Sequence, residues 1–154
     1  MKIIERFEKR FEALRNERKF KSTLAELDEV FYLRDMVAKD GYVSADLSKM
    51  ICSRIAETYL NWSNYLHGLI MPNPGNLIAM TESDMLEDSE KEEINMLLNR
   101  IMAYISRKAL FGLKKDSSAE PQFIDDGLKL WNSISPKLIK LLTKISKMWG
   151  EKRE

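Results

Sequence analysis

Few residues in this chain are of types that do chemistry, and their spacing decides what they can do. His67 is the only histidine and Cys52 the only cysteine among 154 residues. A Cys–His or Ser–His pair would have to use that histidine, with Cys52 or a nearby serine. Cys52 and His67 fall on one predicted helix, fifteen residues apart, which is about 22 Å along its axis at 1.5 Å per residue. One subunit cannot bring them together that way. His67 precedes Gly68, a position where histidine caps terminal carbonyls. One Cys and one His are too few for a Cys/His zinc site. No E-x-x-H pair is present for a carboxylate-bridged di-iron bundle. Asp84, Glu87 and Asp88 lack EF-hand spacing, and no glycine-rich phosphate loop occurs. The expectation is a non-enzyme with no catalytic residue, no metal and no cofactor.

The remaining chemistry is that of surfaces. Lys137, Lys140, Lys144 and Lys147 recur at steps of three and four and share one helix face. Such a row can follow nucleic-acid phosphates, although lysine outside and leucine inside is also the ordinary pattern of a surface helix. The net charge is only +1 but unevenly spread. Residues 1–21 are basic, with Lys2, Arg6, Lys9, Arg10, Arg15, Arg18, Lys19 and Lys21 against four glutamates. Residues 82–93 are acidic. Distinct faces of opposite sign suit docking to partners better than uniform coating of DNA.

Helices must carry these faces. Apolar residues make up 44% and charged residues 32%, with 6 glycines and 4 prolines, which predicts an all-α globular chain. No apolar run approaches the roughly 20 residues that span a bilayer. The charged start and single cysteine predict an intracellular, cytoplasmic protein. Ile3, Phe7, Phe11 and Leu14 predict a first helix over 3–20. Thr23 or Asp28 caps a second, through Phe31, Met36 and Val37 to Gly41. Ser44 caps the longest, striped by Leu47, Ile51, Ile55, Thr58, Tyr59, Trp62 and Leu66 and ending near Gly68. A loop follows at 71–76. Ser89 and Glu92 form a capping box opening a helix with Ile94, Leu97, Leu98, Ile101, Tyr104 and Ile105 on its apolar face.

A polar linker is expected at 114–122, then a short turn of helix over 123–131. Pro136 then takes the first position of a final helix striped by Leu138, Leu141, Leu142, Ile145, Met148 and Trp149. This gives a bundle of about five helices: a helical domain at 1–113, the linker, and a separable C-terminal segment at 123–154. Tyr59, Trp62 and Tyr65 exceed what one stripe buries, so they are expected at a subunit contact. Leu138, Leu142, Ile145 and Trp149 are expected to dock on the body or on another subunit, with the four lysines outward. The nine methionines, several near apolar faces, add to the adaptable surface.

One segment resembles a known family. Leu14-Arg15-Asn16-Glu17-Arg18, followed by Leu24-Ala25-Glu26-Leu27-Asp28-Glu29-Val30-Phe31-Tyr32, is similar to the N-terminal signature of the helix-first subunit of the archaeal GINS complex. The order that follows is similar too: a long helix from Leu47 to Leu69, a loop, a threonine and acidic stretch from Thr81 to Glu93, then a helix over Leu97 to Ile105. The resemblance covers roughly residues 7–110. The small β domain often found in that family has no counterpart in the helical C-terminal stretch here. The resemblance implies a non-catalytic replication scaffold, assembled into an oligomer and linking the MCM helicase to a RecJ-like protein. DNA contact would be weak or indirect. The rival reading is a small helical nucleic-acid-binding accessory subunit, such as a noncatalytic primase subunit or the small subunit of a CRISPR effector.

Overall fold

The computed structural model describes residues 2–152. Among these residues it has seven α-helices, one 3-10 turn and no strand, so the all-α class holds and the number of helices exceeds the expected five. The helices are α1 (Ile3–Arg18), α2 (Leu24–Phe31), α3 (Leu33–Asp40), α4 (Leu47–Ile70), α5 (Leu77–Asp84), α6 (Asp88–Leu113) and α7 (Glu120–Glu151). Two compact units form. The first takes the chain up to Thr58 with Ile105–Trp131; the second takes Tyr59–Tyr104 with the chain from Asn132 onward. Helices α4, α6 and α7 each contribute residues to both.

In the first unit, the period of α1 puts Phe7 and Phe11 in the core with no exposed surface. Phe11 meets Phe20 edge to face at 5.5 Å. Helix α1 stops at Lys19, which enters the left-handed region at φ 59°. The expected second helix is two. Thr23 caps α2 in a complete capping box with Glu26, and Tyr32 then turns left-handed at φ 55°. Asp28 makes that break possible. Its Oδ1 accepts from the Arg34 amide at 2.8 Å, serving the start of α3, and its Oδ2 accepts from the Arg34 guanidinium at 2.9 Å. The Phe31 carbonyl accepts from Arg54 Nε at 2.8 Å. Gly41 ends α3 with φ 77°. The cap of α4 is Asp46 rather than Ser44: its Oδ1 accepts from the Lys49 amide at 3.1 Å, while Ser44 Oγ accepts from Asp46 N at 3.2 Å. Arg10 donates to the Ser44 carbonyl at 2.7 Å and holds this loop to α1.

Helix α7 enters the same unit. The 114–122 stretch is not a linker throughout, because a 3-10 turn at Ser117–Ala119 leads directly into α7 at Glu120. Glu120 is buried, accepting from Ser48 Oγ at 2.9 Å with Arg18 at 3.6 Å. Phe123 and Ile124 have no exposed surface. Asp125 takes three donors from the α1–α2 junction: the amides of Lys21 and Ser22 at 2.9 and 2.8 Å and Ser22 Oγ at 2.7 Å. Residues expected as a short turn of helix at the start of the C-terminal segment are therefore packed into this unit as part of α7. Pro136 does not start a helix either; it lies inside the continuous α7. It removes one amide donor, and both Pro136 and Asn132, whose carbonyl that amide would have met, are exposed to water.

In the second unit, Tyr59 and Tyr104 pack edge to face at 5.1 Å. Helix α4 continues past Gly68 to Ile70. Asn76 then caps α5, a helix not expected from the sequence, accepting from the Ala79 amide at 3.1 Å. Ser83 Oγ donates to the Leu69 carbonyl at 2.7 Å and ties α5 to α4. The start of α6 is served by Glu90, which accepts from the Glu87 amide at 2.9 Å; Ser89 already lies within the helix and is not its cap. Ile94, Leu97 and Ile101 of α6 and Ile134, Leu138, Leu141 and Ile145 of α7 are buried. Within this unit Lys144 pairs with Glu90, and Arg100 donates to Ser133 Oγ at 2.8 Å, so α6 and α7 run antiparallel.

Candidate interaction surface

Cys52 has no exposed surface. Burial, then the charge of Glu120, pushes its thiol up to about 12, so it stays protonated and unreactive at neutral pH. Its Sγ donates weakly to the Glu120 carbonyl at 3.8 Å. His67 sits exposed near the end of α4. Among the described residues, no group of three or more His, Cys, Asp or Glu side chains is placed to hold a metal ion, and no helix is long and apolar enough to cross a membrane.

The three aromatics expected at a subunit contact have different settings. Tyr59 has no exposed surface and belongs to the interior. Trp62 and Tyr65 are half-buried and meet edge to face at 6.2 Å. The Tyr65 hydroxyl donates to Glu82 Oε1 at 3.1 Å. Burial, then the Glu82 charge, pushes it up to about 12. On α7, Leu138 and Ile145 are buried within their own unit, Leu142 is half-buried, and Trp149 is partly exposed with its Nε1 donating to Glu82 Oε2 at 2.8 Å. Glu82 thus fastens α5 to both α4 and α7, a role its place in an acidic run did not suggest.

Lys137, Lys140 and Lys147 are exposed, whereas Lys144 is half-buried against Glu90. The lysine row does not face open solvent on both sides. Lys137, Lys140 and Lys144 form one wall of a groove of about 620 Å³; Glu90 and Glu93 of α6, with Glu87 just before that helix, form the other, and Ile94, Leu97 and Leu141 lie at its base. Exposed apolar side chains lie elsewhere in this unit. Leu77 and Ile78 on α5 are 77% and 65% exposed, and Met71 in the preceding loop is 67% exposed. The signal for it was present: Leu77, Ile78 and Met80 follow a proline-rich loop too closely to share one buried stripe. No family model, no curated protein and no solved structure matches this chain. Fold and surface together define it as an all-helical protein with exposed apolar side chains on α5 and a groove walled by lysine on one side and glutamate on the other.

Proposed function

We propose that this chain is a non-catalytic scaffold subunit of a multiprotein assembly, with a GINS-like replication complex as the setting that its N-terminal motif suggests. The observation that carries the scaffold reading is the exposed apolar group of Met71, Leu77 and Ile78. Large apolar side chains left together in water are the kind of feature that marks a protein contact. The replication setting rests on the sequence resemblance alone. The test mixes the purified chain with an MCM-type helicase and a RecJ-like protein and follows co-elution by size-exclusion chromatography. A complex is expected, and Leu77→Ser with Ile78→Ser should abolish it. Absence of any complex with either protein removes the replication setting.

The second reading is a nucleic-acid-binding accessory subunit. The exposure of Lys137, Lys140 and Lys147 favours it. The glutamate wall opposite weakens the field those lysines project. A titration of single-stranded DNA binding against salt separates the two readings. A true binder loses affinity linearly in log salt with a slope of about −0.7 per phosphate contacted. Lysine-to-glutamine changes at 137, 140, 144 and 147 that end DNA binding while every protein contact survives make this second reading the better account.

A further inference from the structure

We propose that the groove between α6 and α7 in the second unit receives an amphipathic helix from a partner protein, with an apolar ridge, an acidic flank and a basic flank. Its base is apolar: Ile94, Leu97 and Leu141 line it, and their side chains are otherwise packed into the unit. Its walls are charged and of opposite sign. On the acidic wall, Glu87 at the entry to α6 and Glu90 and Glu93 within it repeat every three residues; on the α7 wall, Lys137, Lys140 and Lys144 repeat at three and four. Each wall therefore offers about one charge per helical turn, a rise of roughly 5.4 Å. A second helix, with its own charges at steps of three and four, matches that repeat along both walls, and a helix laid in an apolar groove is a common recognition mode.

Charge complementarity selects this occupant over others. Three lysines stand against three glutamates, so an isolated anion or a phosphate backbone meets repulsion from one wall as it is attracted by the other. Among the described residues, the walls are joined at Lys144 and Glu90, while Lys137, Lys140, Glu87 and Glu93 make no ion pair within the chain. Lys140 also acts on Glu90 through space, and these four charges have no closer partner of opposite sign within ion-pair distance among the described residues. The groove shares no residue with the exposed apolar group on α5, so this proposal does not depend on the scaffold reading drawn from that group.

The test uses the full chain and three synthetic helical peptides with the same leucine ridge. One carries glutamate on one flank and lysine on the other, one carries glutamate on both, and one carries lysine on both. Binding is read by fluorescence anisotropy of the labelled peptide. The mixed peptide should bind at least about tenfold more tightly than either single-sign peptide, a difference of roughly 1.4 kcal/mol. Lys137→Glu with Lys140→Glu should cost the mixed peptide about tenfold and turn the preference to the all-lysine peptide. Both lysines are exposed, and an unchanged melting curve verifies that the fold survives. Leu77→Ser with Ile78→Ser should leave peptide binding unchanged, which separates this groove from the α5 surface. Equal binding of all three peptides, no binding, or indifference to the charge reversal would each overturn the proposal. So would a dimer, seen by sedimentation, that the charge reversal dissolves, since the groove would then belong to a second copy of this chain.

Discussion

Asp125 holds a junction that no local pattern of the sequence marks. It accepts from two amides and one hydroxyl at 2.7–2.9 Å, and Ser22 is buried. Asp125→Ala leaves these donors without their acceptor and is expected to cost about 3 kcal/mol by urea denaturation. Phe31, with no exposed surface, should cost about 3–5 kcal/mol on change to alanine. Cys52 gives a chemical readout. With its thiol pushed up to about 12, thiolate at pH 8 is roughly one part in ten thousand. Alkylation of the native chain should be slow and should accelerate greatly in urea; rapid labelling without denaturant would contradict the burial. The buried status of Phe7, Phe11 and Phe31 was legible, since aromatic residues at helical spacing have one place to go. The role of Asp125 was not, because its partners lie about a hundred positions away and an aspartate in a helix is ordinarily a surface residue.

Helix ends show why boundaries were harder to read than helices. Lys19, Tyr32 and Lys115 all take left-handed backbone without being glycine, so the usual stop signal is missing at each. The Tyr32 break depends on Asp28 and Arg34 capping across it, a tertiary solution that overrides the continuous helical pattern of 24–40. Pro136 misled in the opposite sense: a proline that suits a helix start is tolerated mid-helix here, where both Pro136 and Asn132 lie on the exposed side of α7. Pro136→Ala should restore one hydrogen bond in α7 and raise stability by about 2 kcal/mol, after the looser unfolded chain offsets part of the gain. A lower melting temperature would show that α7 requires the proline. Two caps also set an acid response. Glu26 is held below the usual carboxylate range by the Thr23 amide and hydroxyl, and Glu90 by the Glu87 amide and then by Lys144. Each binds a proton more weakly in the folded chain than in the unfolded one. Their stabilisation is complete above the ordinary value of 4.5 and is lost as pH falls through the lower folded values. Glu90→Gln should flatten this acid limb in melts between neutral and acid pH, and an unaltered limb would assign the response to other groups.

At the scale of the molecule, the exposed group on α5 predicts behaviour in solution. Leu77→Ser with Ile78→Ser touches side chains that are 77% and 65% exposed, so stability should stay within about 0.5 kcal/mol. Any self-association at high concentration, measured by sedimentation, should fall. The all-α class was legible from composition and periodicity. The division into two units was not, because α4, α6 and α7 contribute to both and no break in sequence marks the change. The junction at Asp125 also bears on the order of events in folding. Helices α6 and α7 are joined by a link of a few residues, and Phe111 meets Phe123 across it at 5.4 Å, so this hairpin closes with little chain entropy to lose. Lys21 and Ser22 reach Asp125 across separations of 104 and 103 residues, an extra closure cost of roughly 2–3 kcal/mol over a loop of a few residues. The amide protons at those two positions thus serve as a clock. In refolding followed by pulsed hydrogen exchange, they should gain protection after the α6–α7 amides have done so, and their exchange in the native chain should time each departure of α7 from the α1–α2 junction.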